Sequence, residues 1–335
     1  MDLRYRTENI EKMKAWDLDK KIEHSKKRIK EFYEKMDGKV YVAFSGGKDS
    51  TVLLHLVRSI YPNVVAVFSN TTNEYVEILK FIKSIENVIT VQPKMTFKET
   101  VKHFGFPLVS KAVARQISDL KNPTSDNKAT RNLYLTGMTR AGKFSKRYKL
   151  SEKWKKLITA QFDVTHKCCE VLKKEPTRRF EQETGMRGYI GTMTDESGER
   201  KKSWLKSGCN TYDGDNIKSR PISIWTEKDI WEYIERFNLK YSEIYNDVKD
   251  EKGNIIVKGE KRTGCAYCAF GAGFDKKHDE KNRFQRLAIR KPHQFKKMME
   301  LENNGIKFKD ALSFVGVETN EWAIHKRKAV EQKQN

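Results

Sequence analysis

The stretch Val40–Leu56, VYVAFSGGKDSTVLLHL, decides the fold. A short apolar run breaks into Ser45-Gly46-Gly47-Lys48-Asp49-Ser50, and apolar residues then recur at Val52, Leu53, Leu56, Val57 and Ile60. That order predicts a strand over 39–44, a glycine turn, and a helix over 49–60 whose apolar positions share one face. Backbone N–H groups at a helix N-terminus hold phosphate well, and glycines let the backbone approach it closely. Lys48 adds a cation, and Ser45 and Ser50 add hydroxyls, so the turn is expected to cradle a phosphate. Neither the dinucleotide pattern G-x-G-x-x-G nor the Walker pattern G-x-x-x-x-G-K-S/T is present here.

Further strands alternate with helices on either side of this unit. NVVAVFSN (63–70) and NVITVQP (87–93) read as buried strands, with a helix near 74–84 between them. RGYIGTMT (187–194) reads as another strand. RPISIWTEKDIWEYIERF (220–237) reads as a strand or extended lead-in to a helix, with Thr226 as its N-cap and Asp229 in its first turn. Residues 251–264 could form a hairpin or a loop. The pattern predicts an α/β protein with a doubly wound parallel sheet over 38–300. Before it, 1–37 form a helical segment with apolar residues at Leu18, Ile22, Ile29 and Phe32. A polar, basic and weakly periodic stretch, 120–158, is expected to be an insertion or mobile arm. The C-terminal region is expected to be mainly helical, with 301–335 as a helical tail.

Charge points to a polyanionic partner. The 335-residue chain has 67 Lys and Arg against 45 Asp and Glu, a net +22. The excess is clustered, as in RAGKFSKRYKLSEKWKKL (140–157), where Phe144, Tyr148 and Trp154 interleave the cations. DNA or RNA is the expected partner of such clusters. No apolar run approaches the roughly 20 residues of a membrane span. The N-terminus is charged from its start, so a cytoplasmic protein with no membrane association is expected.

Five cysteines are present, and an odd number cannot pair fully. Cys168 and Cys169 are adjacent, and Cys265 and Cys268 form a distant C-x-x-C. Four thiolates so arranged suit a 4Fe-4S cluster or a four-cysteine zinc site, although adjacent cysteines are uncommon for structural zinc. Cys209, in KSGCNTYDGD, is left over.

The SGGKDS turn after the first strand resembles the pyrophosphate loop of the adenine nucleotide α-hydrolase-like (PP-loop) superfamily. The Cys-Cys and Cys-x-x-Cys set resembles that of iron–sulfur sulfonucleotide reductases of the phosphoadenosine phosphosulfate (PAPS) reductase-like family. VFSNTTNEYVEI (67–78), GFPLVSKAVARQ (105–116), MTDESGER (193–200) and RPISIWTEKDIWEYI (220–234) resemble further segments of that family. The resemblance implies an adenine nucleotide, ATP or APS/PAPS, on Ser45, Gly46, Gly47, Lys48, Asp49 and Ser50; Asp49 is expected either to hold Mg2+ or to position a hydroxyl. It implies a 4Fe-4S cluster on Cys168, Cys169, Cys265 and Cys268. Ser69 and Asn70, at the end of the second strand, are expected near the adenosine. Lys111, Glu196, Ser197 and Arg200 are expected to reach phosphate or ribose. His55 is expected to be structural and His166 to lie near the cysteines. Trp225 and Trp231 are expected in the core.

The resemblance fails at one point. The reductases attack sulfur with a cysteine near the C-terminus, and here no cysteine follows Cys268. Either Cys209 handles sulfur, or the chemistry is different. The first reading is therefore an ATP pyrophosphatase-type sulfurtransferase, with Lys48, Asp49 and Cys209 as catalytic candidates and a cysteine desulfurase as its sulfur source. The alternatives are an APS/PAPS reductase served by thioredoxin, and a nucleotide-regulated nucleic-acid-binding module.

Overall fold

The computed structural model describes residues 3–214, 216–277 and 281–319. Six strands form the central sheet: β1 (Val40–Ala43), β2 (Ala66–Ser69), β3 (Val88–Val91), β4 (Arg187–Ile190), β5 (Asn210–Thr211) and β6 (Lys218–Ser219). Their spatial order is β3-β2-β1-β4-β6-β5. β1 runs parallel to both neighbours, with Val42 opposite Ala66 on one side and Tyr189 on the other. Only β5 is antiparallel, against β6. The chain winds outward through β2 and β3, then returns to the far side of β1 with β4. That reversal leaves a crevice at the carboxyl ends of β1 and β4, where open α/β sheets hold ligands.

The strand side chains explain the covering on both faces. Val40, Val42 and Phe44 point into the main core, where α3 (Lys48–Arg58) contributes Val52, Leu53, Leu56 and Val57. Tyr41 and Val67 point the other way and pack on Phe180 in a smaller cluster. Alternation of period two places them so. The N-terminal helices α1 (Leu3–Lys14) and α2 (Leu18–Lys35) belong to the main core through Ile10, Ile29 and Phe32. Lys21 on α2 makes a buried ion pair with Asp229 at 2.7 Å, and Ser25 accepts a bond from Trp225 Nε1 at 2.9 Å. Trp225 is fully buried and Trp231 packs against the core.

The other helices of the first half are α4 (Val76–Lys83), α5 (Phe97–Phe104), α6 (Lys111–Lys121), α7 (Lys128–Thr136) and α8 (Glu152–Lys155). The stretch 120–158 is thus a folded structure rather than a loose arm. Tyr134, Leu150 and Leu157 anchor it in the core. Their spacing follows no single period, so the sequence pattern hides them.

Downstream come α9 (Glu175–Thr184), α10 (Gly198–Ser207) and α11 (Glu227–Arg236). Thr226 and Asp229 form a reciprocal capping box at the start of α11, with the Thr226 N–H donating to Asp229 at 2.6 Å. Residues 221–224 are a turn, so the lead-in to α11 is not a strand. Val248–Lys249 and Ile255–Val257 form an antiparallel hairpin. The chain continues through α12 (Arg283–Arg290), α13 (Pro292–Met299), a two-residue ladder of Glu302–Asn303 with Ile306–Lys307, and α14 (Phe308–Phe314). The rest of the expected helical tail, 320–335, lies outside the described residues. No helix among the described residues is long and apolar enough to cross a membrane.

Candidate functional site

The glycine turn is built before any ligand arrives. Gly46 has φ +70°, in the left-handed region, and a Cβ there would lie 2.9 Å from Ile82. Gly47 caps α3, and a Cβ there would lie 2.8 Å from the Thr263 hydroxyl. The Ser50 hydroxyl donates to the Gly47 carbonyl at 2.9 Å and accepts the Ser45 N–H at 3.3 Å. The Lys48 N–H, first of the helix, donates to the Tyr245 hydroxyl at 2.9 Å, and that hydroxyl lies 3.0 Å from the Thr263 hydroxyl. Burial pushes the Tyr245 phenol up to about 12, so it stays protonated. The Lys48 ammonium is buried between Asp49 at 3.2 Å and Glu227 at 3.5 Å. Its charge is thus matched by two carboxylates, and Lys48 is not among the residues lining the cleft above.

That cleft, 320 Å³, spans the carboxyl ends of β1, β2 and β4. Ser45, Gly47, Asp49 and Ser50 line its floor, Ser69 one wall, and Gly191 and Thr192 the other. Burial raises the Asp49 carboxyl, the neighbouring Lys48 opposes this, and Glu196 and Glu227 add to the rise. Glu196 pairs with Arg200, lies 3.7 Å from Arg262, and accepts the Met193 N–H at 2.9 Å. Arg200, Arg262, Lys173 and Glu74 also line the cleft. An anion there meets backbone N–H groups and three cations, beside two carboxylates able to hold a divalent ion.

Other sequence candidates lie elsewhere. Ser69 lines the wall, but its hydroxyl donates to the Leu172 carbonyl at 3.0 Å. Asn70 holds a turn by accepting the Thr72 N–H at 3.0 Å. Ser197 caps α10, accepting the Arg200 N–H at 3.3 Å. Lys111 opens α6 as an exposed residue outside the cleft. His55 meets the Tyr233 hydroxyl at 2.9 Å, a structural contact.

The two cysteine pairs converge on one space. Burial, then the charges of Cys268, Cys169 and Cys265, raise the Cys168 thiol far above its ordinary range. Burial and Cys265 push Cys268 up to about 11. The segment carrying Cys265 and Cys268 is pinned by its backbone: Ala266 N–H donates to the Asn73 carbonyl at 2.7 Å, and Gly271 N–H to that of Val109 at 2.9 Å. Arg283 donates to the Cys268 carbonyl at 3.1 Å. The Cys265 thiolate raises Lys173, with which it shares a hydrogen bond. Lys173 therefore borders both the cleft and the thiols. Among the described residues no three His, Cys, Asp or Glu side chains are gathered tightly enough to hold one metal ion together. The four thiols are the side chains that could hold a larger metal centre.

Cys209 stands apart. Its sulfur lies 3.3 Å from the Ser223 hydroxyl and 3.7 Å from His24 Nε2, in a buried position. Burial, then Arg28 and Lys27, push His24 down to about 4, so its ring is neutral near pH 7. A chamber of 180 Å³ shares Thr192 and Arg200 with the cleft and is lined by Trp204, Arg220 and Ser223, with Cys209 behind Ser223. A larger groove, 920 Å³, lies between α10 and β5 and contains none of the loop residues.

The sequence reading missed Tyr245, Thr263, Arg262 and Glu74. Lys173 is legible in the sequence beside the cysteines, with Lys167 and Lys174, as a cation able to offset cluster charge or simply to face water, but not as part of the cleft. Arg262 and Thr263 directly precede Gly264-Cys265, so the second cysteine pair was the available signal for them. Tyr245 carried none.

The phosphoadenosine phosphosulfate reductase domain matches residues 39–114 and 130–269, well over half of the chain. The chain belongs to this family. An adenosine 5'-phosphosulfate reductase of Bacillus cereus is 23% identical over 247 residues, which cover 72% of this chain and 77% of that protein. An uncharacterized protein of Methanocaldococcus jannaschii is 26% identical over 249 residues; the match covers 72% of this chain but only 38% of that relative's length. A solved phosphoadenylyl-sulfate reductase of Candida auris, in a phosphate complex, aligns over 65% of this chain and 83% of its own, at 14% identity and a TM-score of 0.34. The family's residues 187–269 bring β4, Glu196, Arg200 and the second cysteine pair to the loop that its first block supplies.

Proposed function

We propose that this family member splits ATP between its α and β phosphates, adenylates an acceptor, and lets sulfur replace the adenylate. The balance is simple. An acceptor oxygen attacks the α phosphorus and pyrophosphate leaves; a hydrosulfide, released when a thiol reductant cleaves the persulfide of a donor such as a cysteine desulfurase, then attacks the activated carbon and AMP leaves. One observation carries the reading. The cleft has a phosphate loop and three cations, yet no cysteine is among the residues that line it, so no thiol stands there to attack a sulfonucleotide. Attack at sulfur needs a free thiolate. Cys168 lies near enough to Cys169, Cys265 and Cys268 to feel their charge, and Cys209 is buried beside Ser223.

The roles follow from position. The amides of the turn and the N-terminus of α3 stabilise phosphate charge in a fixed array. Arg200, Arg262 and Lys173 neutralise the departing pyrophosphate. Asp49 and Glu196 hold Mg2+, and Ser69 borders the adenosine. Cys168, Cys169, Cys265 and Cys268 hold a 4Fe-4S cluster, whose net negative charge suits the flanking Lys173 and Arg283. When bound, it supplies redox-active iron with an affinity for sulfur, next to the cleft. The Bacillus relative favours a second reading, an APS/PAPS reductase working through thioredoxin.

Iron-loaded protein incubated separately with ATP, APS and PAPS distinguishes the two, with products identified by mass. With a nucleic-acid acceptor and a sulfide source added, AMP and pyrophosphate from ATP are expected. Sulfite from APS or PAPS, with ATP untouched, overturns the proposal in favour of the reductase.

A further inference from the structure

A basic hairpin stands at the edge of the cleft with its aromatic rings in solvent. It follows α7: Met138 and Phe144 form an antiparallel bridge, and the Thr139 N–H donates to the Lys143 carbonyl at 2.9 Å. Phe144 is 61% exposed and Tyr148 45% exposed. Apolar rings of this size seldom stay in water without a use. They are also held in place. The Phe144 ring lies so close over Gly137 that a Cβ there would meet it at 2.7 Å. The Tyr148 carbonyl is fixed by Gln116 at 2.8 Å, and the next turn by the Leu150 N–H to Tyr134 carbonyl bond at 2.7 Å. The display is therefore part of the folded structure.

The charge around the rings has one sign. Arg140, Lys143 and Lys146 have no carboxylate within 4.0 Å among the described residues. Arg147 reaches only Glu199, at 3.9 Å, and its guanidinium lies 5.8 Å from the centre of the Tyr148 ring. That single ion pair also fixes where the hairpin points. Glu199 sits in the first turn of α10, next to Arg200, which lines the cleft. Through Glu199 the basic hairpin is thus tied to the first turn of α10, where Arg200 lines the cleft.

From this we infer that the hairpin binds a single-stranded nucleic acid and leads it to the cleft. Unpaired bases stack on exposed Phe and Tyr rings, while paired bases keep their faces buried in the duplex. The cations track the phosphates. An acidic protein surface would satisfy the lysines but leave the rings without flat partners. The inference rests on the proposed adenylation for the purpose of the bound strand, which would be the acceptor; the binding itself does not depend on it.

Fluorescence anisotropy without nucleotide tests it, using labelled single-stranded RNA, single-stranded DNA and duplex DNA of one sequence. Both single strands are expected to bind about 10-fold or more tightly than duplex, in line with the stacking energy of one to two bases. The tighter of the two identifies the strand as RNA or DNA. Phe144→Ala with Tyr148→Ala should weaken single-strand binding about 10-fold and leave duplex binding unchanged. Lys143→Ala with Lys146→Ala should flatten the dependence of log affinity on log salt by about 1.4, the share of two phosphate contacts on a single strand. Equal affinity for single strand and duplex, or an affinity that neither double variant changes, overturns the inference. Its failure is separable from that of the proposed reaction: AMP formation without single-strand binding removes the surface alone, and binding without AMP formation removes the reaction alone.

Discussion

The phosphate loop and the thiol group, which Lys173 separates, are built in opposite ways. The phosphate loop is one stretch of six residues whose serines and first helical amide already bond to neighbours. The thiol group comes from two segments far apart in the chain, and its members raise one another's affinity for protons. The loop is complete without its ligand. Burial holds the Cys168, Cys265 and Cys268 thiols above their ordinary range, so their thiolates call for a compensating charge. A local site can be preformed cheaply, whereas a site joined by the fold leans on its guest. Lys173 stands between the two and touches both.

The sharpest way to break this contrast is Cys265→Ser. A serine oxygen is a poor ligand for iron held by thiolates. Anaerobically purified protein, expected to carry about four iron per chain, should lose most of it and its brown colour. AMP formation from ATP should persist, because the loop does not depend on the thiols. If iron and AMP formation fell together, the loop and the thiols would be one unit. Next in size is Gly47→Ala. Its Cβ would press on Thr263 at 2.8 Å and Tyr245 at 3.2 Å and displace the loop. A shift of this kind costs about 100-fold in rate. Chromatography of AMP should show that loss, while iron per chain stays level. The smallest effect is Asp49→Asn. Burial raises the Asp49 carboxyl, so its ionised form costs folding energy. Such a group favours the fold most below its ordinary value, and that contribution is lost as pH rises through the raised one. The Asn variant should therefore unfold at higher denaturant than the parent near pH 7, with the gain shrinking as pH falls into the ordinary carboxylate range. Its AMP formation should drop all the same.

Legibility followed the same divide. The strand, turn and helix around Val40–Leu56 could be read because each signal lies next to the one it explains. The Thr226–Asp229 cap was legible for the same reason. Tyr245 and Glu74 were not, since only the folded sheet brings them to the loop, and Lys173 could be read beside the cysteines but not beside the cleft. The stretch 120–158 was misjudged as loose because three irregularly placed residues, Tyr134, Leu150 and Leu157, hold it down while its exposed residues are charged. Ser197 was read as a ligand and is a helix cap; short hydroxyl residues serve both uses equally well. Lys48 lies where the sequence put it, but two carboxylates claim its ammonium.

The Tyr245 hydroxyl has one more consequence. It accepts the first amide of α3, the donor that a phosphate oxygen of the proposed nucleotide would use. Under that proposal, arrival of the anion is an exchange of acceptors. The affinity measured for a nucleotide is a difference between two occupants, and release is assisted by a tenant waiting to move back in. A Phe at this position would leave the amide unclaimed, holding product longer for the same reason that it would grip substrate harder.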